Sequence, residues 1–147
     1  MTLLDPPPAK TEKSRAMAFT VVVVAFAALI ALYFVFRYYP EKRAADHFLS
    51  ALVAGDTGRA YQLWKPGASY HMSDFLADWG PTGYYGPVKS YKILKEKSPL
   101  GVSAVIVTAE ISPYSPMPDI SDIEKSRKTR VVELWVDPKD KSFSFQP

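Results

Sequence analysis

The chain has 147 residues, with 18 Lys plus Arg against 15 Asp plus Glu, a formal net charge of +3, two His and no Cys. The missing Cys excludes disulfides, thiolate catalysis and zinc or iron–sulfur centres held by thiolates of this chain. The mild charge leaves no footprint for nucleic acid, and two His are too few to suggest a His-rich metal site. No cofactor is expected.

The hydrophobic share of 48% is ordinary for a soluble domain but unevenly spread. Residues 1–15 form a short polar tail with Pro6, Pro7 and Pro8 in a row, which favours extended polyproline backbone. Residues 16–36 carry no charge, and only Thr20 and Tyr33 bear a polar group. As a helix this run reaches roughly 31 Å, enough to cross a hydrocarbon core of about 30 Å. Phe19, Val23, Phe26, Leu29, Tyr33 and Phe36 are its expected lipid-facing anchors. The run is longer than a cleavable leader requires, and no small-residue cleavage site follows Phe36. A retained single-pass anchor in the lipid bilayer is therefore expected, with Tyr33, Tyr38 and Tyr39 at the interface. Lys10, Lys13 and Arg15 precede it and Arg37, Lys42 and Arg43 follow it, so the positive-inside count nearly ties. A short tail before a folded domain favours a cytoplasmic N-terminus and an extracytoplasmic C-terminal domain.

Residues 41–147 are enough for one compact domain. Glu41 to Ala54 places Ala45, Phe48, Leu49, Leu52 and Val53 on one helical face, and Gly55 suits a left-handed cap. Asp56 or Thr57 caps a second helix running to Trp64, with Ala60, Tyr61 and Trp64 inward. Ser73 is expected to cap a third, Asp74 to Trp79, with Phe75, Leu76 and Trp79 on its apolar side. Gly80, Gly83 and Gly86 mark a turn-rich connection. Val88–Lys97 and Val102–Ile111 read as strands joined by a hairpin loop, and the second, apolar on both faces, reads as central. Pro113 to Pro118 interrupts the sheet pattern. Arg130–Val136 and Ser142–Gln146 complete the strands around the turn Asp137–Asp140. The expected class is α+β, about three helices packed on one face of an antiparallel sheet.

The segments Phe48-Leu49-Ser50-Ala51-Leu52, Gly55-Asp56 and Ala60-Tyr61-Gln62-Leu63-Trp64, followed by Gly86-Pro87-Val88 and strands in this order, resemble the NTF2-like (cystatin-like cone) superfamily over Glu41 to Gln146. The resemblance implies a curved sheet wrapped around a long helix, with room for a pocket. Small anchored bacterial members include accessory and assembly factors of membrane complexes. It thus implies a single-pass subunit of the bacterial-type cytoplasmic membrane, with other membrane subunits as partners.

Several residues bear on chemistry. His47 beside Asp46, and His71 near Asp74 and Asp78, read either as acid–base or ligand pairs or as solvated helix positions. Tyr84, Tyr85, Trp135 and Glu133 are the candidate lining of a ligand pocket. Glu133, on a strand side shared with Val131 and Trp135, reads as a base in an apolar pocket, as in isomerase-like enzymes of this superfamily, or as half of an ion pair with Arg130 or Lys92. Lys125, Arg127, Lys128 and Arg130 form a basic loop that suits anionic headgroups or an acidic partner. Three readings follow: a non-enzymatic accessory subunit, an apolar-ligand binder, and an isomerase or hydrolase. The first is preferred, because no nucleophile, base and orienter assemble from this chain.

Overall fold

The computed structural model describes residues 11–117 and 128–145. The proline tail, Lys125, Arg127 and Gln146 lie outside the described residues. The chain divides into two units, Met1–Arg37 and Tyr38–Pro147.

The first unit holds α1, Thr11–Phe36. Every residue from Arg15 to Phe36 is exposed, including the six expected anchors. Thr20 satisfies its hydroxyl by donating to the Ala16 carbonyl at 2.9 Å, so the one aliphatic hydroxyl in the run needs no outside partner.

The second unit begins with α2 (Tyr39–Val53), α3 (Thr57–Trp64) and α4 (Met72–Trp79). Its four strands are β1 (Ser90–Lys97), β2 (Val105–Ser112), β3 (Arg130–Val136) and β4 (Phe143–Ser144). They pair antiparallel in the order β1-β2-β3-β4, and β2 is central as its two apolar faces require. α2 starts two residues before Glu41 because Pro40 is compatible with a first helical turn. Gly55 has φ +75, the left-handed geometry a helix stop needs, and its N–H donates to Leu52. Asp56 caps α3 by accepting from the Arg59 N–H at 2.9 Å.

Other boundaries also differ from the sequence reading. β1 starts at Ser90 rather than Val88, and among the described residues β4 spans Phe143–Ser144 rather than starting at Ser142. The cap of α4 is His71, not Ser73, because the Asp74 carboxylate reaches back to the His71 N–H at 2.8 Å. β2 begins at Val105 rather than Val102, since Gly101 (φ +81) and the Val102 N–H to Pro99 bond extend the turn.

The core lies between the helices and one sheet face. Phe48 is fully buried at its centre, with ring centroids 5.2 Å from Trp64, 5.2 Å from Trp79, 5.1 Å from Phe143 and 6.3 Å from Phe75. Val107, Ala109, Val132, Leu134 and Val136 supply the sheet side. Leu76, expected inward, is exposed instead. Two polar ties close the edges. Lys141 meets the buried Glu41 at 2.7 Å, and Tyr91 on β1 donates to the Asp46 carboxylate of α2 at 2.7 Å.

Truncating Phe48 to Ala should cost about 3–5 kcal/mol, read from denaturant midpoints of the full chain in detergent. Burial, helped by the Asp46 hydrogen bond, pushes the Tyr91 phenol up to about 12. The neutral phenol is favoured in the folded state, so this stabilisation is complete below the ordinary value of 10.0 and fades as pH rises toward about 12. Stability of Tyr91→Phe should therefore fall less steeply than wild type over that window.

Candidate functional site: a cationic, aromatic cleft

Three glycines shape the turn that follows α4. The Tyr84 N–H donates to Ala77 at 2.9 Å and the Tyr85 N–H to Asp78 at 2.7 Å, so the chain folds back along the end of the helix. A Cβ on Gly86 would collide with the Gly80 carbonyl, so only glycine permits this close return. The turn leaves through a cis Gly86–Pro87 bond. Its folding back brings the Tyr85 ring onto Trp79, stacked at 4.6 Å, and presents one edge of Tyr85 outward.

Opposite this turn lie the end of β2 and the start of β3. Ile111 pairs in register with Arg130. The chain after Ser112 is tied down twice: Ser90 Oγ donates to the Tyr114 carbonyl at 2.7 Å, and the Tyr114 N–H donates to Ser112 Oγ at 3.3 Å. Between the two sides is a cleft of about 420 Å³, lined by Tyr85, Pro87, Ile111 and Tyr114 with Lys128 and Arg130. The volume lies in the range of small-ligand sites.

The cations are held against aromatic faces. The Arg130 guanidinium lies 5.0 Å from the Tyr84 ring centroid and donates to the Tyr84 carbonyl at 2.6 Å. Lys128 Nζ lies 5.7 Å from the Tyr114 ring centroid. Both contacts are within cation–π range. No acidic residue is among the described residues lining the cleft. Burial, with Tyr84 and Asp78 adding, pushes the Tyr85 phenol up, while Arg130 draws it down. The phenol therefore remains a neutral donor near neutral pH.

The residues singled out from the sequence divide into two groups. Tyr84, Tyr85, Lys128 and Arg130 come together at this cleft. Glu133 and Trp135 do not: with Val131 they alternate away from the helices, while Val132, Leu134 and Val136 enter the core. Glu133 is exposed and pairs with Lys97 at 3.0 Å, rather than with Arg130 or Lys92. Ile106 and Thr108 share this outer face and are nonetheless buried, flanked in register by Lys97 and Trp135, and by Lys95 and Glu133. The long neighbouring side chains cover them.

His47 is exposed, and its neighbour Asp46 is engaged with Tyr91. His71 is exposed at the α4 cap, while the Asp78 carboxylate accepts from the Tyr70 hydroxyl at 2.6 Å. Among the described residues no three His, Cys, Asp or Glu side chains group to hold a metal ion. Tyr114, Pro87 and Ser112 belong to the cleft but were not candidates in the sequence. The only local signal for them was the proline-rich exit from β2, which says where a strand ends and not what it faces.

No family model, curated protein or solved structure matches the chain. An exposed carboxylate–ammonium pair contributes about 0.2–1 kcal/mol. Glu133→Gln should accordingly shift the denaturation midpoint by no more than about 1 kcal/mol, measured by chemical unfolding.

Proposed function

We propose that this chain is a single-pass membrane protein whose α+β domain, of the NTF2-like kind, serves as a non-enzymatic accessory or assembly subunit of a larger membrane complex. The observation that carries the reading is α1. Phe19, Val23, Phe26, Leu29, Tyr33 and Phe36 are between 49% and 71% exposed, and the charge-free run on which they lie is apolar all round. Burying a large apolar side chain is worth about 1.5–3 kcal/mol. A helix apolar on every face calls for a surrounding apolar medium rather than one packed side, and a bilayer is such a medium. Ala25, Ala27, Ala28 and Ala31 are small enough to let a neighbouring span approach closely.

The NTF2-like reading is supported by helices that precede an antiparallel sheet and cover one of its faces, and by the register shift between Ile93 and Lys95, which bends an edge strand. The choice of a binding module over an isomerase or hydrolase draws on the engagement of the acids. Glu41 meets Lys141, Asp46 meets Tyr91, Asp78 meets Tyr70 and Glu133 meets Lys97, each in a contact that ties elements together or covers the sheet. In this reading the N-terminus is cytoplasmic and the domain lies outside the cytoplasm of a bacterial-type cell; the flanking basic residues Lys10, Lys13 and Arg15 against Arg37, Lys42 and Arg43 nearly balance and weigh little either way.

The test is isolation from native membranes in mild detergent. Full-length chain should sediment with membranes, resist carbonate extraction, and bring the same membrane subunits in fixed stoichiometry. A chain beginning at Tyr38 should partition to the soluble fraction. Recovery of the full-length chain as a lone monomer, or its release by carbonate, overturns the reading.

A further inference from the structure

We propose that the cleft between the Gly80–Pro87 turn and the facing ends of β2 and β3 binds a phosphate-type oxyanion carried on a small amphiphile. Arg130 is the anchor of the site. Its guanidinium is a planar fork of five N–H donors. One of them is committed to the Tyr84 carbonyl at 2.6 Å, and the Tyr84 ring backs the group at 5.0 Å. These two contacts restrain the group where it lines the cleft, and the bond to Tyr84 engages one of the fork's N–H donors. A fixed fork matches two oxygens of one phosphate with little further ordering cost.

The surroundings add sign and shape. Lys128 also lines the cleft, over the Tyr114 ring, and none of the described lining residues is acidic. The Tyr85 phenol, kept neutral, can donate and has no negative charge to repel an anion. The remaining walls are Gly86 and Ser112 together with apolar or aromatic surface from Pro87, Ile111, Pro113 and the Tyr114 ring. A bare inorganic ion would leave those walls and most of the roughly 420 Å³ unused. An oxyanion with a short apolar substituent fills both. Phospholipid headgroups and soluble phosphate esters share this chemistry. The site lies wholly within the second unit, so it stands independently of the subunit reading above.

The test uses the full chain in neutral maltoside micelles. Isothermal titration with dihexanoyl phosphatidylglycerol, dihexanoyl phosphatidylcholine and inorganic phosphate separates the sources. The expected result is saturable one-to-one binding of the phosphatidylglycerol, weakened at least tenfold in Arg130→Gln and by added salt. Lys97→Gln, on the opposite sheet face, should bind within twofold of wild type. Arg130→Lys keeps the charge and loses the fork; it should also weaken binding, and it decides the matter if the Gln variant shows no cooperative thermal unfolding. Inorganic phosphate binding as tightly as phosphatidylglycerol shows that the apolar walls add nothing, and overturns an amphiphile as the ligand. Preference for phosphatidylglycerol over both other ligands assigns it to lipid. No saturable binding of any ligand, undiminished binding by the Arg130 variants, or equal weakening by Lys97→Gln overturns the proposal. Each of these results is distinct from the outcome of the co-purification experiment.

Discussion

One ring has to be kept from water by aromatic side chains of three other elements. Phe48 sits on the inner face of α2, and its neighbours Trp64, Phe75, Trp79 and Phe143 come from α3, from the middle and the end of α4, and from the last strand. Each of these aromatics buries a large area, and their tilted and edge-on contacts add directional preference to that burial. The requirement to enclose Phe48 explains why three short helices stay together, although α3 and α4 have only eight residues each. Helices of that length are unstable alone and depend on the packing of one apolar face. It also explains why β4, a strand of two residues, belongs to the core: it delivers Phe143.

The same constraint reaches the cleft. Trp79 is the last residue of α4, and its indole is held between Phe48 on one side and the Tyr85 ring on another. The turn that carries Tyr84 and Tyr85 is therefore registered against the core by stacking, and Arg130 is registered against that turn. Burial of an aromatic cluster thus becomes the positioning of a guanidinium. The energetic source is apolar packing; the product is a fixed charge at a surface.

Much of this architecture was legible in the sequence because its signals are local. The helical spacing of Ala45, Phe48, Leu49 and Leu52, the Gly55 stop and the Asp56 cap are patterns of three to five residues, and each has one physical solution. The apolar character of both faces of β2 likewise marked it as a central strand. Ser73 was misread because Ser is a good capping residue in general, whereas here Asp74 closes the capping box one turn earlier around His71. Leu76 was misread because a short helix leaves room for only two inward side chains, and Phe75 and Trp79 take it. The site was harder to see. Tyr84 and Arg130 are 46 residues apart, and nothing in the vicinity of either names the other. Glu133 illustrates the reverse problem: a charged residue among apolar ones signals alternation between two faces as readily as a buried acid, and only the register with β2 and β1 shows it beside Lys97 on the outer face.

The pairing of Glu41 with Lys141 spans 100 residues, and the contact of Phe48 with Phe143 is nearly as long. α1 is the opposite case, since its hydrogen bonds are all between near neighbours. Such a helix forms in microseconds or less, while contacts between distant residues wait on the closure of the intervening chain. In a growing polypeptide the two units thus keep different clocks. The apolar helix is complete once residue 36 has emerged, roughly a hundred residues before the pieces needed to close the aromatic cluster exist. Until then the hydrophobic side of α2 stands open. The order of synthesis sets a fixed schedule, in which the helix settles first and the domain assembles afterwards around a ring that has been waiting since its early turns.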